Sequence, residues 1–322
     1  MSGAAQALWT IAPGGAALRA ETLRAPAEGE ALVRTLFSGV SRGTERLVLE
    51  GRVPESEWPR MRAPLQAGDF PFPVKYGYCA VGVIEDGPRA RIGETVFCLH
   101  PHQDRFLAPA AMCIALPEGL PPARAVLGAN METALNILWD AQPLLGERAL
   151  VVGGGVVGLL VARLLARMPG VEVALHDTDP GRRALAEQAG ARFLETASGE
   201  HELVVHASGH PDGLAAALGA CAFEGRVLEA SWFGTRPVTL PLGEAFHARR
   251  ITLRSTQVGA VAPAMRARRS HAERLALALR LLAEDEWCDA LLGTPVRFDA
   301  LPAALPALLG PEGPPCPLVT YI

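Results

Sequence analysis

The segment Gly153-Gly-Gly-Val-Val-Gly158 fits the pattern G-x-G-x-x-G. An apolar strand-like run, Leu150–Val152, leads into it, and a helix-like run, Val156–Ala166, follows directly. In that setting the residue types suit a dinucleotide pyrophosphate. Gly153 permits a tight turn, Gly155 lets the backbone approach phosphate with no Cβ in the way, and Gly158 lets helix and strand pack closely. Val156 and Val157 open the helix, whose free N–H groups and positive dipole end face the phosphates. The next strand runs to Asp177, which lies 19 positions after the last glycine, Gly158. A carboxylate there accepts the adenosine ribose hydroxyls and repels a 2′-phosphate, favouring NAD. Arg182 and Arg183 keep NADP open, and Asp179 reads as the N-cap of the following helix.

Two further strand ends, Ala207-Ser208-Gly209 and Ser231-Trp232, are candidates to line the nicotinamide, since ligands of open α/β sheets sit beyond strand C-termini. Ordinary strand-to-helix turns are the alternative. Trp232 and Phe233 suit an apolar substrate wall or, equally, the core. A separate constellation, Cys98-Leu-His-Pro-His102, sets a thiol and two imidazoles two residues apart. With Cys79 it offers metal-ligating chemistry, against which Pro101 argues by disrupting a regular strand.

The elements that must position these residues divide the 322-residue chain in two. From Ala31 to about Leu116 short β-branched and apolar runs broken by Gly and Pro predict a strand-rich, barrel-like unit. Within it Gly51–Pro73, with five prolines, reads as a surface excursion. Pro117–Pro122 is turn chemistry, followed by a helix over Ala123–Asp140. Beyond it strands at Leu150–Val152, Val171–Leu175, Leu203–His206, Arg226–Glu229 and Ile251–Ser255 alternate with helices at Val156–Ala166, Gly181–Ala189 and Leu214–Ala220. That alternation predicts a parallel sheet with crossover helices. A long helix over His271–Ala283 and a tail of short strands and Pro-rich turns, Val296–Ile322, complete the chain.

The formal net charge of −4 gives no electrostatic case for nucleic acid, and Arg266, Arg268 and Arg269 read as a solvated face. Met1–Trp9 lacks the pattern of a signal peptide. The longest apolar run, Ala149–Ala162, is too short for a bilayer and carries four glycines. Six scattered cysteines suggest reduced thiols in a cytoplasm.

Taken with His176-Asp-Thr-Asp179 and the C-terminal return, Val151–Gly158 and the strand-rich first half resemble the medium-chain dehydrogenase/reductase superfamily over nearly the whole length. Ser38-Gly-Val-Ser-Arg-Gly-Thr-Glu45 looks like a subgroup that includes bacteriochlorophyllide dehydrogenases. The resemblance implies an α/β fold with a GroES-like catalytic domain, 1–120 and 260–322, and a Rossmann doubly wound domain, 121–259. It implies an active site in the cleft between them, hydride transfer between nicotinamide C4 and a carbinol or activated carbon of a small-molecule substrate, and dimerisation through the coenzyme domains.

The departures from the family pattern direct the chemistry. Ser41, Tyr78 and Ala129 stand where zinc alcohol dehydrogenases carry their three ligands, so no catalytic zinc is expected. The four closely spaced cysteines of the structural zinc lobe are absent as well. Without a Lewis acid, a positioned donor must stabilise the developing alkoxide. The candidates are Tyr78, with Ser41 orienting it, and His102, a residue type suited to proton transfer. Glu132 and Asn130 open the linking helix as further candidates. Arg42 follows Ser41 where the family places a pyrophosphate-binding arginine. Glu45 is either a carboxylate that orients a donor or a helix-start charge. Enone or quinone reduction and a non-catalytic dinucleotide-binding protein are the competing readings.

Overall fold

The computed structural model describes residues 3–321. They form two compact units, 3–129 with 275–321, and Asn130–Arg274. The boundaries expected from sequence lay at 120/121 and 259/260.

The first unit opens with an antiparallel hairpin, β1 (Gly3–Ala12) and β2 (Gly15–Leu23), turning at Gly14 with φ +72°. Nothing in the sequence announced it, because alanine-rich segments favour helix by propensity. Pairing and burial of Ala5, Ala7 and Leu8 override that preference here. The strand β3 (Glu30–Gly39) follows, then α1 (Arg42–Leu49), β4 (Ala67–Gly68), β5 (Val74–Lys75), β6 (Ala80–Asp86), β7 (Thr95–Cys98), β8 (Arg105–Pro109) and β9 (Ile114–Ala115). β3 is the hub, pairing antiparallel with β6 and β8. The expected helix over Ala123–Asp140 is broken into α2 (Pro122–Ala125) and α3 (Gly128–Ala141). Gly128 sits at the break, where a Cβ would come within 2.9 Å of the Phe97 ring.

The second unit holds β10 (Arg148–Val152), α4 (Val156–Ala166), β11 (Glu172–His176), α5 (Arg183–Gln188), β12 (Arg192–Leu194), β13 (His201–His206), α6 (Pro211–Gly219), β14 (Cys221–Glu229) and β15 (Thr252–Ser255). Its sheet runs β12-β11-β10-β13-β14-β15 and every pair is parallel. Renumbered within the sheet this is the order 3-2-1-4-5-6 of the Rossmann fold. The predicted helix and strand positions hold to within a few residues, β12 being the one strand of this sheet that the pattern passed over. Leu150, Val204, Val227 and Leu218 belong to the core between sheet and helices.

Within α7 (His271–Ala283), from Leu275 on, the chain returns to the first unit, which then gains β16 (Val296–Arg297), α8 (Leu301–Leu309) and β17 (Leu318–Thr320). β17 pairs with β3, closing a sheet ordered β16-β17-β3-β6-β7-β9. The tail was expected to hold only strands and turns. Pro302 and Pro306 mask α8 as a breaker would, yet Pro302 occupies the tolerated first turn, and Leu301, Leu305 and Leu309 bury one helical stripe. All six cysteines are buried free thiols, and no helix among the described residues is long and apolar enough to cross a membrane.

Candidate functional site

In the second unit the glycine loop lies at the C-terminal end of β10. Gly153 has φ +116°, and a Cβ on it would meet the backbone of Ser208 at 2.6 Å. A Cβ on Gly158 would overlap the carbonyl oxygen of Gly153, so the first turn of α4 packs onto the strand only with glycine there. Gly155 differs. It is the N-cap of α4 in an extended conformation, a Cβ on it would meet nothing within 4 Å, and no side chain caps the helix. Open space before an uncapped helix N-terminus fits the pyrophosphate of a dinucleotide. Val156 is buried and Val157 half-buried behind it.

Asp177 stands at the lip of this loop. Its Oδ2 accepts the Gly154 N–H at 2.5 Å and its Oδ1 the Asp179 N–H at 2.8 Å. Asp179 caps the next turn by accepting from Gly181 N–H, as expected, and pairs with Arg182 Nε at 3.2 Å. Ala207, Ser208, Gly209, Ser231 and Trp232 gather beyond β13 and β14, where the Gly209 N–H donates to the Ser231 hydroxyl at 3.0 Å. Phe233 stacks on His206 at 6.1 Å and packs against the core of its unit.

Glu132 is engaged elsewhere. It receives Arg274 Nε at 3.0 Å, and both side chains are almost fully buried. Burial raises its pKa, with Arg274 acting in the opposite direction. Arg274 also donates to Asn136 Oδ1 and to the Val258 carbonyl, each at 2.5 Å. The expected catalytic position of Glu132 is therefore occupied by an ion pair that ties α3 to α7.

In the first unit the candidate proton-handling residues converge. β3 ends at Gly39 and Ser41 is the N-cap of α1. Glu45, in the first turn of α1, reaches back so that its Oε1 accepts the Ser41 N–H at 2.7 Å. Its Oε2 lies 2.9 Å from His102 Nε2, and His102 Nδ1 lies 2.7 Å from the Ser38 hydroxyl. Ser38 in turn contacts the Tyr321 hydroxyl at 3.0 Å. With the carboxylate at Nε2, that nitrogen carries the ring proton, so Nδ1 accepts from Ser38. Glu45, by sequence either a carboxylate orienting a donor or a helix-start charge, thus contacts both the start of α1 and the His102 ring. Gly77, at φ +125°, makes room, since a Cβ there would press on the His102 ring at 2.9 Å.

His102 is 1% exposed with both nitrogens engaged, which leaves it no free atom for a ligand. Tyr78 is half-buried and its hydroxyl hydrogen-bonds the Ser41 side chain. Burial, with neighbouring Tyr76, Cys79 and Glu45, holds its pKa well above 10, so the phenol stays protonated. Tyr76 packs edge-on against it at 6.0 Å. Arg42 donates to the carbonyls of Gly310 and Pro311 within its own unit, rather than standing open as a phosphate ligand. The network through Ser38 and Tyr321 had no sequence signal, because its members lie up to 283 residues apart.

The proposed thiol–imidazole metal group does not assemble. His100 stacks on Phe106 at 3.8 Å with Nδ1 on the Pro101 carbonyl, and the free thiol of Cys98 is hydrogen-bonded to that of Cys113. Among the described residues no three His, Cys, Asp or Glu side chains are grouped as metal ligands. Burial lowers the His100 pKa from 6.5 to about 3. A histidine held neutral in the fold costs stability once the unfolded chain takes up a proton. Stability is therefore full above pH ~6.5 and falls as pH drops toward ~3, by up to about 1.4 kcal/mol per pH unit. Urea unfolding of His100→Phe between pH 7 and 4 is expected to lack this one-proton component; an unchanged slope would disprove it.

No family model matches the chain. Among curated proteins it is similar to 2-desacetyl-2-hydroxyethyl bacteriochlorophyllide A dehydrogenase of Cereibacter sphaeroides, 29% identical over 247 residues, covering 70% of this chain and 72% of that protein. Among solved structures, L-idonate 5-dehydrogenase from Escherichia coli superimposes with a TM-score of 0.82 at 15% identity, over 100% of this chain and 99% of that one. The fold is that of the medium-chain dehydrogenases. A protein described as a short chain alcohol dehydrogenase, from E. coli CFT073 and complexed with cofactor NADH, superimposes with a TM-score of 0.77 at 16% identity, over 99% of both chains. In this fold the first unit is the GroES-like domain and the second the Rossmann domain.

Proposed function

We propose that the chain is a nicotinamide-dependent oxidoreductase that moves a hydride between nicotinamide C4 and a carbinol or carbonyl carbon without catalytic zinc. The carrying observation is the glycine loop, with its space at Gly155 before the uncapped α4, in a sheet of Rossmann order. The dehydrogenase names of the relatives and the NADH complex of one of them support the same reading. The bound nicotinamide supplies or accepts the hydride. Tyr78 holds a proton toward the substrate oxygen, and Ser41 orients the phenol. Glu45, His102 and Ser38 fix the Ser41 turn from behind as positioning residues. Hydroxyls at Ser41 and Tyr78 and a methyl at Ala129 make a poor zinc donor set. Asp177 at the loop's lip favours NAD over NADP, with Arg182 at hand for the latter. The free thiols suit a reducing cytoplasm, and we expect a dimer joined through the Rossmann units.

Titration with NADH and NADPH, followed by cofactor fluorescence, tests the first step, and a panel of ketones and enones tests the second. Gly155→Val sharpens it. The extended backbone and open surroundings accept valine, so the fold is kept. Its branches enter the phosphate space, and NADH affinity is expected to fall about 100-fold, ~2.7 kcal/mol. Undiminished binding would remove the loop from the site.

A further inference from the structure

Beyond β13 and β14 three side chains stand in line. The hydroxyl of Ser208, an exposed residue, lies 2.6 Å from His206 Nε2, and His206 Nδ1 lies 2.7 Å from Glu229 Oε2. The His206 ring is fully buried. Glu229 Oε1 accepts the Ser231 N–H at 2.6 Å, and the Ser231 hydroxyl is 3.3 Å from Nδ1. The carboxylate keeps the ring proton on Nδ1, so Nε2 is the acceptor and Ser208 donates into it. The polarity is that of a serine, its base and the carboxylate that orients the base.

The surroundings support the same assignment. The His210 N–H donates to Ser208 Oγ at 3.1 Å, at the N-cap of the nine-residue α6, whose positive end favours charge developing on that oxygen. A Cβ on Gly213 would come within 2.8 Å of His206 Nε2 and overlap Ser208 Oγ, so glycine is what allows α6 to close against the pair. The chain of hydrogen bonds ends at an exposed residue, Ser208, where a substrate has access.

We propose that Ser208 is an activated nucleophile that takes acyl groups from activated carboxylic esters, with His206 as base and Glu229 orienting it. The Ser208 Oγ–carbonyl bond forms while the ester C–O bond breaks. The serine proton passes to His206 Nε2 and on to the departing alcohol, leaving acyl-Ser208. No nicotinamide takes part, so the proposal stands or falls independently of hydride transfer.

The full chain is treated with p-nitrophenyl acetate, nitrophenol release is followed, and the acetyl group is mapped by peptide mass. One acetyl per chain is expected on Ser208. Ser208→Ala and His206→Gln are each expected to lower release at least about 100-fold, and Glu229→Gln about 10-fold. Ser208→Ala alters an exposed residue, and thermal melting confirms that each variant is folded. Acetylation confined to other residues, or a folded His206→Gln labelled at the wild-type rate, would overturn the assignment.

Discussion

Tyr78→Phe is expected to lower kcat/KM about 100- to 1,000-fold on any carbonyl compound the wild type reduces, while NADH affinity stays unchanged. Removing one preorganised donor to a developing oxyanion costs about that much, ~2.7–4 kcal/mol. The phenol suits the task because burial keeps it protonated well beyond neutral pH. No alkaline limb from Tyr78 is therefore expected in the rate profile below pH 10. The stability cost is small, about 1 kcal/mol for the lost hydrogen bond to Ser41. A variant with wild-type kcat would move the proton donor elsewhere in the first unit. A variant that also loses NADH would show that the ring serves the fold rather than the reaction.

Glu132→Ala is expected to destabilise the protein by about 3–5 kcal/mol, a large share of the ~5–15 kcal/mol of an ordinary domain. The substitution strands the Arg274 guanidinium, 2% exposed, without its carboxylate. Asn136 and the Val258 carbonyl remain as acceptors but bring no charge. Glu132→Gln, which keeps an oxygen for Arg274, is expected to lose less. Denaturant unfolding measures both. A loss below 1 kcal/mol for the alanine variant would mean that Arg274 finds water or another partner.

The contrast between the two residues bears on what the chain made legible. Periodicity located α4 and α7 and the core strands of the parallel sheet, because their apolar runs are long and punctuated by glycine. Chemistry tied to local spacing was equally readable, as in the Gly153–Gly158 loop and the Asp179 cap. Pairing across the chain was not. Ser38, Glu45, His102 and Tyr321 meet only because β3, α1 and the chain after β17 fold onto one another, and nothing in any one segment encodes the other three. Glu132, a lesser catalytic candidate by sequence, is engaged by Arg274, 142 positions on. The hairpin of β1 and β2 was hidden by alanine, and α8 by its prolines.

The late return of the chain to β3 also orders its synthesis. Tyr321 meets Ser38 across 283 residues, and β17 supplies the partner of β3 only once synthesis has passed Thr320. The second unit, continuous from Asn130 to Arg274, has all its strands much earlier. It can therefore collapse as a unit while the first still shows an open sheet edge along Phe37–Gly39. Translation that stalls after residue 274 would leave a folded Rossmann unit tethered to an unfinished sheet, the species most in need of a chaperone.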